Sequence, residues 1–296
     1  GASVPLAQNQ KAMEKADPNF MQIYQQLGQY WGDQPGTSGP VYVGAFVMML
    51  FILGLFIVKG PMKWALLAAT ILSVLLAWGR NFMPFTNFFL DYVPMYSKFR
   101  TVASILVIAE FTIPLLAVMA LKKLIDEPEI LTTKAKYIYA SFGLTAGFCL
   151  LFALMPSVFF SDFISGQEMQ ALQQLPAEYQ GPIISNLTEI RKGIFTADCW
   201  RSFWIIIIGS AFLMLYKYKK LGAEFMVLGI AALCLVDMWI VNKRYLYDDM
   251  FVEKSVRDTP QQMTETDKII LRDKSLDYRV LNLASNTFNE TETSYY

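Results

Sequence analysis

Glu110 lies midway along an apolar run, 102–121, and Pro114 follows it by four residues. A carboxylate at that depth in a bilayer costs a few kcal/mol unless it is paired or neutral, so intramembrane acids mark functional sites by default. Pro114 has no N–H to give the Glu110 carbonyl. A side-chain acid and a freed carbonyl at one level predict a kinked, polar pocket; the plainer alternative is a protonated Glu tying two helices together. Just before this run, in Tyr96-Ser-Lys-Phe-Arg-Thr101, stand Lys98 and Arg100. Two cations at a membrane interface suit a phosphate or diphosphate, which Arg binds through two parallel hydrogen bonds. Snorkelling at a helix end is the competing explanation. Asp91 and Tyr96 supply further polar groups nearby, although Asp91 also suits a loop cap or a partner for Arg80 or Lys98.

Other charged residues read as structural pairs. Asp198 and Arg201 share a helix face at i, i+3, and Asp237 stands within two turns of Lys243 and Arg244. The chain has no histidine, which removes the usual general base and the commonest transition-metal ligand. Cys149, Cys199 and Cys234 are far apart and read as small buried hydrophobes, neither a zinc site nor a disulfide framework. No Gly-rich phosphate loop or Ser-His-Asp set is visible. The net charge of zero offers nothing to nucleic acid.

The elements that must hold these groups are membrane spans. The chain is 54% hydrophobic, gathered into charge-free blocks such as 41–58. Such a block can cross a hydrocarbon core of about 30 Å at about 1.5 Å per residue. About six spans are expected, at 41–58, 63–78, 102–121, 137–155, 202–218 and 224–241. The fold class is therefore an all-α polytopic membrane protein. Lys59 and Lys63, then Lys122, Lys123, Lys134 and Lys136, then Lys217, Lys219 and Lys220 fall in alternate connections. The positive-inside rule puts those connections in the cytoplasm. Both terminal segments and the loops 79–101 and 156–201 then face outward. Trp31, Trp78, Trp200, Trp204 and Trp239 fall near outer ends and Trp64 near an inner one.

The outer segments carry structure of their own. Residues 1–39 form an external segment with one interfacial helix, capped by Asp17 with Pro18 at its first position, its apolar stripe Phe20, Ile23, Tyr24, Leu27 and Trp31 lying on the membrane. The loop 79–101 mixes Phe82, Phe85, Phe88 and Phe89 with Gly79, Pro84 and Pro94, so backbone that dips into the bilayer is expected there. Within 156–201, Ser165 and Glu168 form a capping box, Pro176 breaks the helix, and Ile183, Ile184, Leu187, Ile190 and Ile194 begin a second one. Beyond the domain 40–241, residues 242–296 read as the start of an external α/β domain: a helix from Thr264 and Asp267 through Arg272, then a strand over 278–283. With no initiator Met, no signal peptide and a last strand lacking its partner, the chain reads as a fragment of a longer protein.

Several outer motifs resemble the YfhO family of bacterial membrane proteins, closest to its Bacteroidetes branch. They are Tyr30-Trp-Gly-Asp-Gln-Pro-Gly-Thr-Ser-Gly-Pro-Val-Tyr-Val-Gly44, Trp78-Gly-Arg-Asn-Phe-Met-Pro-Phe-Thr86, Tyr96-Ser-Lys-Phe-Arg100 and Tyr278-Arg-Val-Leu-Asn-Leu-Ala-Ser-Asn-Thr-Phe-Asn289. The resemblance spans nearly the whole chain. It implies a fold and chemistry similar to GT-C-type glycosyltransferases, which take a sugar from a polyprenyl-phosphate carrier at the outer face of a membrane. It also implies a bacterial inner membrane, with the C-terminal domain on the periplasmic side, membrane lipid around the bundle, and a cell-envelope glycan or polymer as acceptor. On this expectation Lys98 and Arg100 bind the carrier phosphate, and Glu110, Asp91 and Tyr96 shape the cavity. The catalytic carboxylate of that superfamily usually sits in the first external loop, which the resemblance places before Gly1, so no catalytic base is assigned. The residues fix no cofactor; a divalent cation is the candidate to help the phosphate depart. A transporter or flippase, and a non-catalytic assembly subunit, are the rival expectations.

Overall fold

In a computed structural model, the described residues are 4–32, 41–98, 102–160, 162–246, 251, 253, 254 and 265–274. The chain divides into two units, Gly1–Leu246 and Tyr247–Tyr296. Counting helices longer than five residues, the first unit holds α1 (Met21–Gln26), α2 (Ala45–Ile57), α3 (Met62–Ala77), α4 (Met83–Tyr92), α5 (Val107–Asp126), α6 (Ala135–Leu154), α7 (Gly166–Leu172), α8 (Ala177–Lys217) and α9 (Ala223–Asn242). The second holds α10, Glu265–Ile270, within the helix expected there. The expected strand over 278–283 lies outside the described residues, and no strand occurs among the described ones.

This is an all-α membrane protein. Four helical segments are long and apolar enough to cross a bilayer: 102–126, α6, α8 and α9. A fifth span is possible if α3 and the helical stretch 79–92 count as one, although they meet at 104°. The count falls short of six at α3, whose 16 residues qualify only together with 79–92, and at α2. The apolar run begins at Val41, but Gly44 takes φ +95° and the helix starts only at Ala45. Its 13 residues rise about 20 Å, too little for a hydrocarbon core. It is an inner helix instead: Met49, Leu53 and Ile57 are buried against Leu116, Ala120 and Leu124 of α5 and Ile206 and Leu213 of α8. At Gly54 an added Cβ would stand 2.8 Å from Leu116 Cγ, so glycine is what lets α2 and α5 close up.

The bend after α3 falls at Gly79, φ +47°, whose carbonyl accepts from Thr86 Oγ1 at 2.8 Å. The following aromatics pack on one another, Phe82 on Phe85, Phe85 on Phe89 and Phe89 on Tyr96. A side-chain hydrogen bond of 2.7 Å between Thr70 and Thr112 links α3 to α5 inside the bundle.

The largest departure from expectation is α8. The second amphipathic stretch of the loop 156–201 and the span 202–218 form one helix of 41 residues, about 60 Å long. Nothing between Phe195 and Ser202 breaks a helix: no Gly, no Pro, and only Asp198 and Arg201 to suggest a boundary. The half of α8 that precedes the span carries a separate cap. Residues 4–31 fold back on themselves, with Leu6 N–H donating to the Leu27 carbonyl (2.8 Å) and Gln29 N–H to that of Val4 (2.9 Å). Asp17 caps the turn Pro18–Phe20 as expected, accepting the Asn19 N–H. The apolar stripe of α1 turns in part onto α8, with Phe20, Ile23, Leu27 and Trp31 left half-buried. Tyr24 is fully buried, together with Leu6, against Ile183, Leu187 and Ile190 of α8. Asn186 secures the same segment, accepting from Asp17 N–H and donating to the Lys15 carbonyl, both at 2.9 Å.

Candidate functional site

Arg191 binds the cap to α8. It is completely buried in the middle of an isoleucine-rich stripe, where an unpaired charge would not survive. Its guanidinium donates to both Glu168 oxygens, at 2.8 and 2.6 Å, from Nη1 to the Phe163 carbonyl at 2.9 Å, and to the Gly28 carbonyl from Nε at 3.2 Å and Nη2 at 2.6 Å. Glu168 is at the same time the closing residue of the expected capping box, its side chain accepting the Ser165 N–H while Ser165 Oγ accepts that of Glu168. Burial opposes ionisation of this carboxyl, but the hydrogen bonds and charge of Arg191, with the Ser165 N–H, prevail and hold it below the usual range.

Two turns further along α8, and at the adjoining ends of α2 and α9, four charged groups meet. Asp237 is 1% exposed. Its Oδ2 accepts from the Tyr42 hydroxyl at 2.8 Å and from the Ala45 N–H at 3.0 Å, so a residue of α9 caps the start of α2. Arg201 lies over the Tyr42 ring at 5.4 Å, its Nε 3.9 Å from Asp237 Oδ1 and its Nη1 4.0 Å from Asp198 Oδ1. Asp198 is held by Arg244 through a two-pronged pair, 2.6 and 2.5 Å. Those hydrogen bonds, against the cost of burial, keep the Arg244 guanidinium protonated above its ordinary range.

Tyr42, Asp198, Arg201 and Arg244 border a cleft of about 430 Å³, while Asp237 lies buried behind them. Its walls come from the cap (Val4, Gln29, Tyr30, Trp31), the approach to α2 (Val41, Tyr42), α6 (Cys149, Phe152), α8 from Ile194 to Ser202, and Val241, Arg244 and Tyr245. Trp31 is fixed there by ring contacts with Phe160, Phe163 and Phe195. Mostly apolar walls with a few convergent polar groups are the usual make-up of a small-molecule site. The cleft opens at the cap end, opposite the ends carrying Lys59, Lys122, Lys134 and Lys217.

The residues expected to act lie elsewhere. Asp91 and Lys98 are exposed, Tyr96 is half-buried with its hydroxyl lacking a partner among the described residues, and Glu110 is half-buried on α5. No hydrogen bond or ion pair joins them, and none lines the cleft. Arg100 lies outside the described residues. The helix carrying Glu110 runs on through Pro114. Among the described residues no three Asp, Glu, Cys or His come together as a metal site.

Sequence reasoning passed over Arg191 and Tyr42; the expected Asp198–Arg201 pair is present at 4.0 Å, but Arg244 binds Asp198 rather than Asp237, and Arg201 also faces Asp237, so the ties run between helices as well. The available signal was the match of two acids and two arginines at neighbouring ends of separate spans. Comparison with protein-family models, with curated proteins and with solved structures gave no match.

Proposed function

We propose that this chain is the bundle and cap of a GT-C-like membrane glycosyltransferase, moving a sugar from a polyprenyl-phosphate carrier to a cell-envelope acceptor at the outer face of a bacterial inner membrane. The YfhO-like motifs motivate the reading. The observation that carries it is the cleft: a concave, aromatic and charged surface at the bundle end away from the lysine-rich connections. By the positive-inside rule that end faces outward, where a lipid-linked donor presents its sugar. The chemistry is displacement at the anomeric carbon, with a carboxylate taking the acceptor proton and cations meeting the departing phosphate. Lys98 and Arg100 are assigned to that phosphate; exposure of Lys98 leaves it accessible to a headgroup. Glu110, with Asp91 and Tyr96, is assigned to the carrier's path beside α4 and α5. The proton acceptor is unassigned.

One feature favours a different activity. The 104° break between α3 and the stretch 79–92 is the sort of interrupted helix pair that transporters use at midplane sites. Proteoliposomes holding the full-length protein, a radiolabelled polyprenyl-phosphate sugar and envelope acceptor separate the two. Label is expected in the acceptor, and less of it in Arg100→Ala. Movement of the carrier between leaflets without transfer would replace the enzyme reading by a flippase. Neither result would leave an assembly role. Orientation is checked in intact spheroplasts, where Ser161→Cys should react with an impermeant maleimide and Thr133→Cys should not.

A further inference from the structure

The end of the bundle away from the cleft gathers cations from two connections. Lys59 and Lys63 stand in the turn from α2 to α3, and Lys122, Lys123, Lys134 and Lys136 around the link from α5 to α6. These six lysines face only three carboxylates in the same segments, Asp126, Glu127 and Glu129. Packing brings the two connections together. The Phe56 ring stacks on that of Tyr137 at 5.2 Å, which seats the end of α2 against the start of α6. Ile130 and Leu131 are buried in the bundle core, so the link and its lysines rest on a fixed base. Lys63 donates to the Leu55 carbonyl at 2.7 Å and so closes the end of α2.

The charges meet at Glu127. Its hydrogen bond from Lys123, with the further charges of Lys59 and Lys134, holds the carboxyl below its usual range. One carboxylate thus answers three ammonium groups. Lys122 is paired with Asp126 at 2.7 Å. Lys59 and Lys134 make no hydrogen bond or salt bridge among the described residues, which leaves the three donors of each for an anion. The space beside them is open: a Cβ added at Gly60 would meet no atom within 4 Å.

Apolar surface adjoins these cations. Phe56 precedes Lys59 by three residues and Tyr137 follows Lys134 by three. Phe56 is 41% exposed, and Trp64, next to Lys63, is 60% exposed. Aromatic rings at the end of a span mark the level of the lipid headgroups. A soluble anion would use the lysines alone. A phospholipid uses both surfaces, its phosphate among the ammonium groups and its chains along the rings. Basic recesses between helices on the cytoplasmic side suit such headgroups.

We infer that the recess between the α2–α3 turn and the α5–α6 link binds an anionic phospholipid of the cytoplasmic leaflet, with Lys59, Lys123 and Lys134 around its phosphate and Phe56 and Tyr137 along its chains. The site depends on neither the cleft nor the transfer reaction.

Native mass spectrometry of the purified full chain, released from micelles, tests this with dioleoylphosphatidylglycerol, dioleoylphosphatidylcholine and inorganic phosphate as probes. Saturable binding of the phosphatidylglycerol is expected, about tenfold or more tighter than that of the zwitterionic lipid. Lys59→Gln with Lys134→Gln should weaken it by about tenfold or more, the effect of two lysines at a headgroup. Lys59→Arg with Lys134→Arg should bind as wild type does, because the charge is kept. Lys219→Gln with Lys220→Gln, in the turn after α8, should change binding less than about twofold, the charges there being remote from Glu127. None of these side chains is buried, so all three double variants should keep the wild-type melting temperature. The inference is overturned if the zwitterionic lipid binds as tightly, or if the two glutamine pairs weaken binding equally, which would reduce the site to a diffuse field. Displacement of the lipid by inorganic phosphate would overturn it too, by making the lysines a site for soluble anions.

Discussion

Replacing Arg191 by Met keeps a long apolar stem in the cap and removes every hydrogen bond of the guanidinium. The loss can be worked from its partners. Glu168 forfeits a two-pronged, charge-assisted pair, while the Gly28 and Phe163 carbonyls lose their donors. Breaking a buried ion pair from one side costs about 3–5 kcal/mol. The Glu168 side chain is 19% exposed, so water can reach the orphaned carboxylate and the lower end, about 3 kcal/mol, applies. The cap has its own apolar cluster, separate from that of the bundle, so the loss should appear as local opening. At 1.36 kcal/mol per decade, amide exchange should quicken by about a hundredfold. Hydrogen-exchange mass spectrometry would show this in peptides from 4–31 and 162–175, with 49–57 in α2 unchanged. Adding Glu168→Gln to Arg191→Met removes the stranded charge, keeps an acceptor for the Ser165 N–H, and should restore about 1–2 kcal/mol. Exchange in the single variant within about threefold of wild type, well under the factor of ten set by 1.4 kcal/mol, would refute the assignment of Arg191 as the cap's anchor.

Acid should open the same region. The Glu168 carboxyl is held below its unfolded value, near 4.3, so its contribution is complete above that pH and is lost as pH falls through the lower folded value; limited proteolysis should cut the cap, and spare the bundle, only below about pH 4. Gly209→Val should lower folded yield and melting temperature, because a Cβ at Gly209 runs into the buried Phe46 ring, and Phe46→Leu should restore part of the loss. Glu110→Gln should reduce transfer more than folding if the carboxyl serves the carrier; an equal fall in yield would make it a structural tie between helices.

Charge-free length is the physical basis of a span, and α5, α6 and α9 were legible for that reason. Length alone is not enough at α2. The apolar run from Val41 does not say where the helix begins; that is decided by Gly44 and by Asp237, a cap nearly two hundred residues away in sequence. Polarity likewise misled at 198–201. Asp198 and Arg201 suggested the end of a loop, yet polar residues mark a depth in the bilayer, and only Gly, Pro or a cap ends a helix. The capping box at Ser165 and the cap at Asp17 were legible because their partners are two or three residues away. Arg191 was hidden for the opposite reason: one partner lies 23 residues upstream and another 163.

The continuity of α8 connects these observations. Leu187, Arg191, Ile194, Asp198, Arg201 and Ile205 follow one another at intervals of three or four, so they trace one stripe along the helix. The stripe runs from the cap's apolar cluster, through the Arg191 anchor, past the cleft and into the bundle core. Arg191 and Asp198 are seven residues apart, about 10 Å along the axis and nearly in line. The Gly28 carbonyl that Arg191 holds immediately precedes Gln29, Tyr30 and Trp31, which form the cap's wall of the cleft. One rigid element thus fixes both the wall, through Arg191, and the charged floor, through Asp198 and Arg201. A loop in place of residues 195–201 would let the two move independently. An unbroken helix makes the width of the cleft depend on the Arg191 contacts. The Arg191→Met variant should therefore weaken ligand binding in the cleft even though Arg191 does not line it.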